Sequence, residues 1–147
     1  MKTLKELQPL IIEWATERNI HLLECNPKQR LKLIEETGEL CSAILKNKVD
    51  EQKDAIGDIF VVLIILAEQQ KENVILDLHE LTDESYLEFH DLFHYLLCKN
   101  YDLQYSVAYL NDIATKLNLD LTECCNLAWN EIKNRKGKTI NGTFIKN

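Results

Sequence analysis

The sequence predicts an all-α fold: a four-helix-bundle core with additional short helices and a small C-terminal β-hairpin. Three observations predict it. Only four glycines and two prolines punctuate 147 residues, and scarce breakers favour long helices over many short strands with tight turns. Apolar residues recur at helical spacing along most of the chain. A polar/apolar alternation around a turn pair occurs only near the end of the sequence. The length suits one domain, 1–147, able to bury a real core. The balance of 46% apolar and 28% charged residues is that of a globular chain.

A first helix is expected over 3–18, where Leu4, Leu7, Leu10, Ile11 and Trp14 share a face. Asn26-Pro27 reads as an N-cap followed by proline at the first helical position, opening a helix to Leu45. Asn47 to Val49 is a break, and Asp50 can cap a third helix over 51–70. Residues 71–85 look irregular. A shorter helix is expected over 86–98, an interruption at Asn100 to Asp102, and two more helices over 103–117 and 121–134, with Asp120 or Thr122 at the start of the last. The tail from Lys138 alternates around Asn141-Gly142, a hairpin signal. A lone hairpin is weak, so it should dock on the bundle or on a partner subunit.

The net charge of −7 argues against sequence-independent nucleic-acid binding, which needs Lys and Arg to neutralise phosphates. The N-terminal stretch has no continuous apolar region, because Glu13 and Glu17 interrupt it, so no signal peptide is expected. The longest apolar run, Ile59 to Ala67, is far short of the roughly 20 residues a membrane span needs. Cys25, Cys41, Cys98, Cys124 and Cys125 form no C-x-x-C pair and read as scattered thiols of a reducing compartment. A cytoplasmic protein is the expectation.

The carboxylates carry the chemistry. Glu36 and Glu39 are three apart on the second helix, with Lys32 on the same face; Asp54 and Asp58 are four apart on the third. Nine apolar residues follow Asp58, so that helix is buried on most sides. A carboxylate at the edge of such a run needs a cation, a partner or a proton. Helices joined by a short break are antiparallel neighbours, so the two acidic pairs can converge on one point. Such a set of oxygen donors suits a hard divalent cation. Solvated acid pairs on the surface are the competing reading.

The stretch NPKQRLKLIEETGEL followed by DAIGDIFVVLIILAEQ resembles the MazG-like family, with its E-E-x-x-E on one helix and E-x-x-D before a long apolar run on the next. The tail AWNEIKNRKGKTINGTFIKN resembles the end of phage and Gram-positive members. The resemblance covers residues 8–70 well, 128–146 moderately and 71–127 little. It implies an all-helical nucleoside triphosphate pyrophosphatase releasing a monophosphate and pyrophosphate. Mg²⁺ is the implied cofactor, with Mn²⁺ a possible substitute. The site is expected at subunit contacts of a homodimer or homotetramer, which the apolar helix 56–67 would suit. Carried onto this chain, Glu36, Glu39 and Asp58 are the metal ligands. The family's fourth ligand position is Ala55, and Asp54, one residue earlier, either substitutes, directly or through water, or leaves a weakened site. Glu35 is expected to hold a second ion or orient water. Lys133, Arg135, Lys136 and Lys138 are expected at the phosphates, with Lys32 a weaker candidate; a solvated basic helix end is the alternative. Trp14, His21 and Asn130 are candidates for the base, although a Trp on an apolar stripe is commonly core.

Gly137-Lys138-Thr139 is no P-loop, because Ile132 stands where the first glycine belongs. Asn141-Gly-Thr143 matches a glycosylation sequon without a secretory route. His90 and His94 offer too few ligands for zinc, and Asp91 with His94 is a poor match to a di-iron motif. The rival to an enzyme is a helical interaction or regulatory module that kept the bundle and binds nucleotide without turnover.

Overall fold

The computed structural model describes residues 1–77, 83–98 and 102–147. These residues form six α-helices and one antiparallel hairpin. The helix α1 spans Leu4–Glu17, α2 Asn26–Leu45, α3 Val49–Gln69, α4 Phe89–Cys98, α5 Leu103–Lys116 and α6 Leu121–Ile132; the strands are β1, Gly137–Ile140, and β2, Thr143–Lys146. The expected all-α fold with its small terminal hairpin is what the chain adopts. Within the stretch read as irregular, residues 78–82 lie outside the described residues, as do Asn100 and Tyr101 of the interruption.

Local chemistry sets the boundaries. Thr3 closes a capping box on α1: its hydroxyl accepts the Glu6 amide at 3.2 Å, and the Glu6 carboxylate accepts the Thr3 amide at 2.7 Å. Asn26 does not cap α2 as its sequence context implied. A short 3₁₀ turn, Leu23–Cys25, runs straight into the helix and makes Asn26 its first residue. The Asn26 side chain is used sideways instead, donating to Gln69 of α3 at 2.9 Å and accepting from Arg30 at 2.8 Å. Asn47 turns the chain between α2 and α3 in the left-handed region, φ 53°, a conformation asparagine tolerates. Asp50 is already inside α3 and does not cap it. Asp120 caps α6, accepting the Glu123 amide at 3.0 Å.

The core is organised around α3, which packs against α1, α2, α5 and α6. From Ile59 to Ala67 every residue of α3 is buried. That burial is complete within one chain, so the apolar run needs no second subunit to cover it. The α3–α6 crossing is especially close at Gly57. A Cβ there would meet the Cys124 carbonyl oxygen at 2.3 Å and the Ala128 Cβ at 2.7 Å, both on a neighbouring helix that cannot swing aside. Gly57→Ala is therefore expected to destabilise the fold by about 1–3 kcal/mol, the usual range for overpacking. Thermal unfolding checks this, and an unchanged melting temperature would mean that the helices separate freely.

The hairpin docks on the bundle. Asn141 (φ 51°) and Gly142 (φ 80°) make the left-handed pair that a two-residue hairpin turn requires. Phe144 meets Trp14 of α1 edge to face, 5.4 Å between ring centres. No helix among the described residues is long and apolar enough to cross a membrane.

Candidate functional site

The antiparallel α2–α3 pair positions the acids. On α2, Glu35, Glu36 and Glu39 each bring a carboxylate oxygen within 4.8 Å of the others. Helical spacing of three and four makes this possible, because the three residues occupy one side of the same turn. Glu36 is only 5% exposed. Its Oε1 takes Lys32 Nζ at 2.9 Å, while its Oε2 is buried with no hydrogen-bond partner among the described residues. A buried carboxylate oxygen left this way is costly. Lys32 also reaches Glu35 at 2.6 Å. Partial burial opposes its charge, but the Glu35 and Glu36 carboxylates outweigh that and hold its pKa up.

Asp58 of α3 borders the same cavity as Glu35 and Glu36. Burial pushes its carboxyl up to about 7; Glu36 and Glu131 push the same way, while Arg135 and Lys32 oppose them. Burial, then the Glu36 carboxylate, also raises Glu39. Carboxyls pushed up together indicate negative charge crowded into a partly desolvated place.

The cavity has a volume of about 450 Å³ and three kinds of wall. The acids are Glu35, Glu36 and Asp58. The cations are Lys28 and Lys32 of α2, Arg135 after α6 and Lys146 of β2. The apolar wall includes Trp14, Ile65 and Phe144. Such a space takes a ligand that is anionic at one part and flat and apolar at another.

Of the residues singled out in the sequence, Glu35, Glu36, Asp58, Lys32, Arg135 and Trp14 line this cavity, and Glu39 belongs to the acid cluster beside it. Asp54 is exposed and lies outside both the cluster and the cavity lining. Its carboxyl is raised by burial and then by Glu131, Asp50 and Glu51. Lys133, Lys136 and Lys138 are exposed and do not line the cavity. Lys133 closes α6 and donates to the exposed Asn130 at 3.1 Å, and Lys138 sits at an outward position of β1. His21 is half-buried and outside the cavity lining, next to the lining residue Ile20, with Nδ1 lacking a partner among the described residues. Trp14 is 7% exposed and carries the Arg18 guanidinium over its ring at 4.5 Å.

Sequence reasoning missed Lys28, Gln29, Phe144 and Lys146 in the lining. For the α2 residues a signal existed: Lys28 precedes Lys32 by four, on the face that carries Glu35, Glu36 and Glu39. No local pattern announces Phe144 and Lys146, which reach the cavity only because the hairpin folds back.

Residues 27–90 match the MazG nucleotide pyrophosphohydrolase domain. The resemblance read from the acid motif and the apolar run is thereby shown, for the segment from the start of α2 into α4. The MazG segment holds the whole acid cluster and Asp58, whereas Trp14, Arg135 and the hairpin lie outside it. The family points to nucleotide pyrophosphohydrolase chemistry, a hydrolysis of acid anhydrides. A relative from Haemophilus phage HP1 (strain HP1c1), an uncharacterized 18.2 kDa protein in the rep-hol intergenic region, is 47% identical over 77 residues. The match covers 52% of this chain and 47% of the relative, about half of each. No solved structure matches.

Proposed function

We propose that this chain hydrolyses nucleoside triphosphates, ribo or deoxy, to the monophosphate and pyrophosphate with Mg²⁺, in a role of nucleotide-pool house-cleaning. The observation that carries the reading is the buried Oε2 of Glu36, without a hydrogen-bond partner among the described residues, set in a three-carboxylate cluster beside a cavity that also holds four cationic side chains. A donor set of carboxylate oxygens fits a hard divalent cation. Glu36, Glu39 and Asp58 would hold it, with Asp54 contributing through a water, and Mn²⁺ would substitute. When bound, such a cation supplies charge neutralisation at the phosphates and water activation.

The chain's own groups account for the rest. Arg135, Lys28, Lys32 and Lys146 would balance the triphosphate, Arg135 offering a two-pronged contact to phosphate oxygens. Lys32 holds Glu36 in place. Glu35, exposed at the edge of the cavity, would orient the attacking water. The base would lie against Phe144 and the apolar wall. The reading takes residues 1–147 as one domain, self-associating as a homodimer or homotetramer in the cytoplasm.

A second reading has its own observation. Ala55, at the family's fourth ligand position, is 4% exposed, and Asp54 is outside the cluster. A site short of a ligand would bind nucleotide without turning it over. Product analysis with a panel of NTPs and dNTPs, with and without Mg²⁺, separates the two. Metal-dependent release of pyrophosphate and a monophosphate is expected. Folded protein that binds nucleotide yet releases neither product would favour the binding module.

A further inference from the structure

Helix α1 ends at Glu17, and Arg18 occupies its C-cap. The last carbonyls of a helix lack intrahelical donors, and here the Arg18 carbonyl accepts the Thr139 hydroxyl of β1 at 2.5 Å. The Arg18 side chain is 13% exposed. Its Nη1 donates to the Trp14 carbonyl at 2.9 Å and approaches the Glu17 carboxylate at 3.4 Å. Its Nε donates to the Arg135 carbonyl at 3.2 Å, and Nη2 donates to that same oxygen. The guanidinium stacks on Trp14 and lies 6.0 Å from the centre of the Phe144 ring. One residue thus joins three distant stretches of chain: the end of α1, the α6–β1 connector and the hairpin.

We propose that Arg18 is a positioning residue of the nucleotide site, holding Arg135, Phe144 and Lys146 at the cavity without itself touching the substrate. This rests on the function proposed above. Arg135, Phe144 and Lys146 line the cavity but belong to none of the helices that carry the acids. Two four-residue strands are weak by themselves. Arg135 lies past the end of α6, and the Glu131 carboxylate pairs with its guanidinium, so its direction depends on where its backbone is held. Without the Arg18 guanidinium the connector loses its anchor at the Arg135 carbonyl and Phe144 loses the cation beside its ring, while the Thr139 bond to the main-chain carbonyl of residue 18 remains and the α2–α3 pair keeps its own packing. Part of the binding is thereby carried by a segment that lies outside the α2–α3 pair holding the acids. Lysine cannot replace Arg18, because the bond pattern uses three guanidinium nitrogens in a fixed fork and a flat face over Trp14.

The test compares the full chain with Arg18→Lys and Arg18→Met in steady-state kinetics and in hydrogen exchange of residues 137–146. Both variants are expected to raise KM by about tenfold or more with kcat within about threefold, the pattern of lost positioning rather than lost chemistry. Exchange in the hairpin should speed up at least tenfold, with α2 and α3 unchanged. An unchanged KM, recovery in Arg18→Lys, or a fall in kcat alone with a lower melting temperature would overturn the proposal. If the wild type turns over no nucleotide, the function proposal falls, and Arg18 is judged by calorimetric binding of pyrophosphate with Mg²⁺. Tenfold weaker binding in Arg18→Met supports the positioning role, and equal binding, including none in either protein, overturns it.

Discussion

Glu36→Gln is expected to lower nucleoside triphosphate turnover by on the order of 10²–10³-fold, the scale of removing one preorganised charged group from an active site, while the bundle stays folded. Glu36 is the most buried member of the acid cluster, and one of its oxygens has a lysine partner while the other has none among the described residues. Glutamine keeps the shape and removes the charge that a divalent cation would require. Asp54→Asn is the informative contrast. A residue acting through water costs about 10–100-fold in metal affinity, so this variant should need more Mg²⁺ and keep its kcat at saturating metal. Metal titration of the rate separates the two. Retained activity in Glu36→Gln would take Glu36 out of the site, and a collapse of kcat in Asp54→Asn at any metal concentration would place Asp54 in direct contact.

The acids were legible because helical spacing is a local property. Once Glu36 and Glu39 are on one helix and Asp58 opens an apolar run on the next, the short turn at Asn47 leaves the two faces little choice but to meet. The same logic did not reach Asp54. It shares a side of α3 with Asp58, but it lies a turn nearer the N-terminus, at an exposed position among buried ones, with the Glu131, Asp50 and Glu51 carboxylates around it. The basic cluster was legible as composition and not as direction. Four cations within six residues look like one site, yet α6 stops at Ile132 and the chain turns into β1. Of the four, Arg135 alone lines the cavity. Lys146 and Phe144 are brought to α1 and α2 by contacts across more than a hundred residues, which no window of the sequence contains. Trp14 was ambiguous between core and site, and the structure shows why: it borders the cavity while its ring is covered by Arg18 and Phe144.

Asp58→Asn should stabilise the metal-free protein above neutral pH and remove most of the stabilisation that a divalent cation confers. The sign follows from linkage. An aspartate in the unfolded chain titrates near 3.8, whereas burial first, then Glu36 and Glu131, holds Asp58 near 7 in the fold. Below about pH 4 both states carry the proton and Asp58 has no effect on stability. Between these values the unfolded chain releases its proton while the folded chain keeps it, so the contribution of Asp58 to stability declines as pH rises and levels off above 7. Partial solvent access screens the shift, and a cost on the order of 1–2 kcal/mol at pH 8 is the reasonable scale. For a chain of this size that corresponds to roughly 2–8 °C in melting temperature. Glu39 and Asp54, also raised, tilt the wild-type profile in the same direction. Melting curves from pH 4 to pH 8, with and without Mg²⁺, provide the check. The wild type should lose stability across that window and regain it on adding Mg²⁺ at pH 8, and Asp58→Asn should show a shallower loss and little response to the metal. An identical Mg²⁺ response in both proteins would mean that the cation is held without Asp58. The charge crowding on α2 and α3 would then be a structural burden with no ligand to relieve it at that position.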